Sequence, residues 1–151
     1  MSRFVLDASF VVAWCFPDEN DSLSQHVADM FKRGDTAVAP AFWPHEVLNA
    51  LLGGEKRKGI SKELVRRFLD DLATLPVVLQ QFPTGVVFGW IQSLNREHGL
   101  TAYDAAYLDL ALDSGFPLAT LDEALAQASK KARVRLVRAG TQKLGETRST
   151  V

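Results

Sequence analysis

The chain has 151 residues, 47% of them hydrophobic and 23% charged, with mean hydropathy near zero, the make-up of one globular domain and not of a disordered or fibrous chain. Seventeen Lys and Arg against 18 Asp and Glu leave a formal charge of −1, which excludes a nucleic-acid binder that works by bulk positive charge. The single cysteine, Cys15, cannot form an intrachain disulfide, and its apolar neighbours read as core, so a reducing cytoplasm is the expected setting.

Short apolar runs alternate with longer segments of helical period, the pattern of βα units around a parallel sheet. Phe4-Val5-Leu6 is the first strand, and a short helix runs from Ser9 to just before Pro17. This apolar start has a faint likeness to a secretory signal. Asp7 interrupts it, no small-residue cleavage site follows, and no stretch reaches the ~20 residues that span a bilayer, so the whole chain reads as mature, soluble protein. A helix from Ser22 to Lys32 follows, with Ser22 and Gln25 at capping-box spacing, and then a strand over Thr36-Ala37-Val38-Ala39. Pro44 suits the first turn of a helix that carries Val47, Leu48, Leu51 and Leu52 on one face, is weakened by Gly53-Gly54 and ends at Gly59. Ser61 caps the next, with Leu64, Val65, Phe68, Leu69, Leu72 and Leu75 at 3–4 spacing.

A third strand is expected at Val77-Val78-Leu79, then helices from Thr84 to His98 and from Thr101 to Ser114, stopped by Gly99 and Gly115. Pro117-Leu118-Ala119-Thr120 is the fourth strand, a helix runs from Asp122 to about Ala132, and the alternation of Val134-Arg135-Leu136-Val137 reads as an edge strand. Residues 1–140 form one domain and the polar residues 141–151 a tail. Trp14, Phe16, Phe42, Trp43, Phe88 and Trp90 read as core, while Asp109 with Asp113, and Asp70 with Asp71, read as outer faces.

The informative feature is where four acids fall. Asp7 directly follows the first strand, Asp122 lies two residues after the fourth, and Glu46 and Asp104 sit in the opening turns of two helices. In a parallel α/β sheet, strand C-termini and the N-termini of return helices share the edge where ligands bind. Asp122, Asp104 and Glu46 each have an ordinary explanation as caps or first-turn acids. Asp7 has none, since no cap calls for an acid at the close of a buried strand. Carboxylates gathered at one edge raise one another's pKa unless a cation compensates, and an all-oxygen set suits Mg²⁺ or Mn²⁺. Zinc does not suit it, because His26, His45 and His98 are far apart in sequence, and no Walker loop or GxGxxG supports a nucleotide cofactor.

Four pieces, Val5-Leu6-Asp7-Ala8-Ser9, Pro44-His45-Glu46-Val47-Leu48-Asn49-Ala50-Leu51, Leu100-Thr101-Ala102-Tyr103-Asp104-Ala105-Ala106-Tyr107-Leu108 and Leu118-Ala119-Thr120-Leu121-Asp122, occur in order over about residues 3–138. Together they resemble the PIN domain, the metal-dependent nuclease fold of VapC-type toxins in toxin–antitoxin pairs. The resemblance implies a three-layer α/β/α fold with a parallel sheet of order 3-2-1-4-5. It implies catalytic acids at Asp7, Glu46, Asp104 and Asp122, with Mg²⁺ or Mn²⁺ held mainly by Asp7, Asp104 and Asp122, and supporting hydroxyls at Ser9, Thr101 and Thr120. Glu46 then orients water or completes a second metal site. It further implies an endoribonuclease acting on RNA phosphodiester bonds, a cytoplasmic homodimer, and a small antitoxin as partner. Some relatives carry a further acid beyond the fourth, which Leu125-Ala126-Gln127 lacks; only Glu123 is near.

Other readings fit less well. A haloacid-dehalogenase-type phosphatase wants a second Asp where Ser9 stands, and a receiver domain wants a lysine where Arg138 stands. A PIN-fold RNA-processing nuclease that is not a toxin, and a silent PIN-like binding module, remain as alternatives; the silent module predicts gaps among the acids.

The near-neutral total hides a division. Lys56, Arg57, Lys58, Lys62, Arg66 and Arg67 face only Glu55 and Glu63 within residues 55–67, and residues 130–143 hold Lys130, Lys131, Arg133, Arg135, Arg138 and Lys143 with no acid. Such runs either face solvent or hold a phosphate backbone, and Lys56, Arg57 and Lys58 are the candidate RNA contacts. The early helices and the approach through Pro40, Phe42 and Trp43 are candidates for an apolar antitoxin groove.

Overall fold

The computed structural model describes residues 1–16, 18 and 21–139; Lys143 and the expected tail at 141–151 lie outside them. In chain order the elements are β1 (Arg3–Leu6), α1 (Ser9–Cys15), α2 (Ser22–Lys32), β2 (Thr36–Pro40), α3 (Trp43–Lys58), α4 (Lys62–Leu72) and β3 (Val77–Gln80). Then come α5 (Thr84–Val86), a π-helical turn (Val87–Ile91), α6 (Gln92–His98), α7 (Ala102–Ser114), β4 (Leu118–Ala119) and α8 (Glu123–Lys131). No helix among the described residues is long and apolar enough to cross a membrane.

The sheet is parallel, of order β3-β2-β1-β4, with Phe4 opposite Ala37, Val38 opposite Val78 and Val5 opposite Leu118. Phe4, Val5 and Leu6 are wholly buried, because a central parallel strand is covered on both faces and so reads as an unbroken apolar run. The helices complete a three-layer α/β/α architecture. α1 packs against α2 and α3, and α3 against α4, while α7 touches β1, β2, β4, α6 and α8. α7 is apolar almost all round, with Ala105 to Ala111 buried without a break, which marks a core helix.

The fifth strand expected at Val134–Val137 is reduced to a single parallel bridge between Leu118 and Leu136. Two hydrogen bonds hold it, Leu118 N–H to Arg135 carbonyl at 2.8 Å and Val137 N–H to Leu118 carbonyl at 2.9 Å. Its partner β4 is confined between Pro117, which has no N–H, and Thr120, where the chain bends toward the cap of α8, so there is little strand left to extend the ladder.

Two local expectations also need correction. The cap of α2 is Asp21, in a reciprocal box with Ser24, and not Ser22. The helix expected from Thr84 to His98 is continuous but changes winding through the π turn at Val87–Ile91. Gly54 does more than loosen α3: a Cβ there would meet Cζ of the buried Phe16 ring at 2.5 Å, so the missing side chain is what lets α1 and α3 close on one another. Gly59 and Gly99 end α3 and α6 in the left-handed conformation, at φ of 67° and 69°.

The face expected on α3 is split, with Val47 and Leu51 buried but Leu48 and Leu52 exposed. Among the aromatics, Phe16 and Trp43 are buried and Trp14 and Phe42 half-buried, whereas Phe88 and Trp90 are 70% and 51% exposed on the π turn and are not core. Asp109 does not lie on an outer face. It is buried, and burial raises its pKa, while a hydrogen bond with Trp90 lowers it and the charge of Asp113 raises it further. A helix buried over two turns presents its polar positions to neighbouring elements, and Asp109 is turned toward the segment that carries Trp90.

Candidate active site

β1 delivers Asp7 to the carboxyl edge of the sheet, where its N–H donates to the Ala119 carbonyl of β4 at 3.0 Å. The side chain is 6% exposed, and a buried carboxylate is tolerated only when hydrogen-bonded. Two hydroxyls do this. Ser9 Oγ donates to Asp7 Oδ2 at 3.0 Å and Thr120 Oγ1 donates to the same oxygen at 2.6 Å. Each hydroxyl also accepts a backbone N–H of the turn between β4 and α8: Ser9 Oγ from Leu121 at 3.0 Å, Thr120 Oγ1 from Asp122 at 3.0 Å. With their acceptor sides occupied by amides, both hydroxyls must point their protons at Asp7. Residues more than a hundred positions apart are thereby locked to one oxygen.

The same turn sets Asp122, whose Oδ1 caps α8 by accepting the Ala124 N–H at 2.9 Å. Thr101 caps α7, its Oγ1 accepting the Asp104 N–H at 3.1 Å. Asn95 donates to the Leu100 carbonyl and clips the turn that leads there. Thr101 therefore supports the site through the helix start, not through a carboxylate. Both ordinary cap readings hold for Thr101 and Asp122, and Asp122 still reaches the Asp104 carboxyl.

Glu46, in the first turn of α3, accepts the Tyr107 hydroxyl at Oε1 over 2.7 Å. Tyr107 is wholly buried, and its ring stands edge-on to Phe42 at 5.7 Å. The sequence reading assigned Tyr107 no role. The signal available was its place three residues beyond Asp104, which puts the two on one face of α7; nothing local showed that Glu46, 61 positions away, would be its partner.

The electrostatics follow from burial first and from the neighbouring acids second. Burial pushes the Asp7 carboxyl up, opposed by the Thr120 and Ser9 hydrogen bonds and assisted by the charge of Asp122. Burial also raises Glu46, with Tyr107 opposing and Asp7 assisting. Asp104 is pushed to about 6, by burial first and then by the charges of Asp122, Asp7 and Glu46 and a hydrogen bond with Asp122. Burial, with the bond to Glu46 and the nearby Asp7, raises Tyr107 so far that it stays a neutral donor. The structure thus brings all four acids into one electrostatic neighbourhood. Among the described residues no three His, Cys, Asp or Glu side chains are drawn close enough to enclose an ion. The donors themselves are all oxygens, the chemistry of a hard divalent cation that keeps several waters and takes one or two carboxylates. They do not fit the closed thiolate or imidazole cage of structural zinc.

The basic candidates are placed differently. Lys56, Arg57 and Lys58 fill the last turn of α3, and at 1.5 Å per residue that turn is about 15–18 Å along the axis from Glu46. Lys56 and Arg57 are exposed. Lys58 pairs with Asp18 at 2.6 Å and lies over the Phe16 ring at 5.8 Å, so it braces the α1–α3 contact.

Comparison with known proteins gives the family and the fold. The family model described as PIN domain matches residues 4–131. Ribonuclease VapC3 of Pyrobaculum aerophilum is 29% identical over 125 residues, which is 83% of this chain and 93% of that protein. Among solved structures, PAE2754 from Pyrobaculum aerophilum superposes with a TM-score of 0.61 at 25% identity, covering 84% of this chain and 79% of the other. VapBC2 from Rickettsia felis, solved bound to a DNA fragment from their promoter, gives 0.62 at 13% identity, covering 91% and 99%. FitAcB from Neisseria gonorrhoeae gives 0.57 at 18% identity, covering 89% and 96%; these last two likenesses are of fold.

Proposed function

The chain belongs to the PIN domain family, and from that premise we propose that it is a metal-dependent endoribonuclease, the toxin of a toxin–antitoxin pair. The observation that carries the reading is the gathering of Asp7, Glu46, Asp104 and Asp122 at one partly buried edge, where burial first and neighbouring acids second raise Asp7 and Glu46 and push Asp104 to about 6. Such a cost in a folded protein is expected where a cation offsets it. The kinship with Ribonuclease VapC3 supports RNA as substrate and the toxin role. A silent binding module would show gaps among the acids, and there are none.

Mg²⁺ or Mn²⁺, when bound, supplies a Lewis acid for the phosphodiester and lowers the pKa of attacking water. Asp7, Asp104 and Asp122 would hold it, and Ser9 and Thr120 would keep Asp7 in one orientation while they do so. Glu46, fixed at Oε1 by Tyr107, has its second oxygen left to orient the attacking water. No histidine base is needed. The protein so read works in the cytoplasm as a homodimer and is restrained by a small antitoxin.

The test is RNA cleavage with Mg²⁺, with chelator, and by Asp7→Asn. Chelation should stop cleavage, and Asp7→Asn should lower it by more than about 100-fold with the metal-free melting temperature held or raised, since Asn still accepts from Thr120 and removes a buried charge. Mn²⁺ should raise the melting temperature of the native protein only. A fully active Asp7→Asn variant would remove the proposal.

A further inference from the structure

Next to the acids lies a cavity that neither the core nor the proposed chemistry uses. Its volume is about 280 Å³, and small residues such as Ala102 leave it open. Phe42, Phe82 and Tyr103 contribute aromatic walls, Gln80 and Gln81 contribute amides, and no lining residue is charged. Tyr103 is 58% exposed, an aromatic left in solvent directly before the acid Asp104. The cavity shares a wall with the acid site: the Phe42 ring is edge-on to Tyr103 at 5.0 Å and to Tyr107, the donor to Glu46, at 5.7 Å.

We propose that this cavity receives one unstacked base of the RNA, the base beside the phosphate that is cut, and so sets where the enzyme cuts. The inference rests on the endoribonuclease reading and adds to it a specificity subsite. The absence of charge rules the cavity out as a seat for phosphate or for a cation. Its size, just under the roughly 300–1,000 Å³ of drug-sized pockets, suits one planar ring system. Aromatic faces with hydrogen-bonding amides at their edge are what single-stranded RNA recognition uses, the rings stacking on the base and the amides pairing with its edge. Gln81 offers both a donor and an acceptor for that purpose. Gln80 is steadied by donating to the Gln81 carbonyl at 3.0 Å.

Sequencing the ends released from a random-sequence oligoribonucleotide pool tests this with two exposed-site variants, Ala102→Leu to fill the volume and Gln81→Ala to remove an amide. Wild-type protein should show a base preference at one nucleotide flanking the cut. Both variants should weaken that preference by about fivefold or more, the worth of one stacked base, while the Mn²⁺-induced rise in melting temperature persists. Unbiased wild-type ends, or an unchanged preference in both variants, overturn the subsite and leave the nuclease reading standing. A change in sedimentation of the variants with unchanged ends gives the cavity to a second copy of the chain and also overturns it. No cleavage by wild-type protein despite Mn²⁺ binding sinks the nuclease reading, and this inference with it.

Discussion

The two ends of α3 show two ways of handling charge. At its start, Glu46 is half-buried, tied to a buried tyrosine from α7 and set against Asp7 at the end of β1 and Asp104 of α7. At its end, Lys56 and Arg57 stand in solvent, and the neighbouring charges of α4 are satisfied locally, Arg66 with Glu63 and with Asp70 one turn away. Surface pairs of that kind contribute ~0–1 kcal/mol. The acids at the other end are costly to gather and are held by partners distant in sequence. Charge that a fold gathers at a cost indicates function far more strongly than charge it leaves in water.

The two ends of α3 should respond very differently to substitution. Tyr107→Phe keeps the ring against Phe42 but frees Glu46, so the rate of RNA cleavage should fall by about 10–100-fold, as for other orienting partners of a metal site, with far-ultraviolet circular dichroism unchanged. An unaltered rate would make the tyrosine merely part of the core. Gly54→Ala, at the joint between the two ends, should cost about 1–3 kcal/mol in urea unfolding because the added methyl collides with Phe16; a neutral result would mean that α1 moves aside freely.

The pH dependence of the metal-free protein comes next. Asp7, Glu46 and Asp104 all titrate above their ordinary values, Asp104 at about 6. A carboxyl raised in the folded state binds its proton more tightly there than when unfolded. Its stabilising contribution is complete below the unfolded value near 4 and is lost as the pH rises through the folded value. The melting temperature without metal should therefore climb as the pH is lowered from 7 to about 5, and saturating Mn²⁺ should flatten or reverse that slope. A fall over the same interval in metal-free buffer would show that the acids are not crowded in solution. The smallest effect belongs to the double variant Lys56→Ala, Arg57→Ala, expected to change stability by less than about 0.5 kcal/mol. If these residues touch RNA, its cleavage should depend less steeply on salt, by about one or two in the logarithmic slope; an identical slope assigns them to solvent.

Much of this was legible in the sequence because it is local. Ser61 and Thr101 are caps whose bonds close within three residues, Gly99 and Gly115 stop helices by their own conformational freedom, and the unbroken apolar run of β1 identifies a central strand. Asp7 stood out because nothing local explained it. The misread positions are those settled by distant contacts. The buried Asp109, the exposed Phe88 and Trp90, and the split of Leu48 from Leu51 depend on which neighbour covers which turn, and periodicity is blind to that. The shortening of the last strand likewise depends on β4 being only Leu118–Ala119, of which Leu118 alone bridges to Leu136.

By itself, then, the chain order of strands, helices and acids determined that four carboxylates would reach one edge of a parallel sheet, since that follows from the direction in which βα units wind. How they are held and what surrounds them came from contacts between distant segments: Thr120 bound to Asp7 and Ser9 to the turn before α8, a tyrosine from α7 reaching Glu46, and an uncharged aromatic cavity behind Phe42. The physical reason is range. Caps and periodicity act over one or two turns of helix, whereas a hydrogen bond across about a hundred residues exists only after the chain has closed, when its entropy has been met by the whole core together.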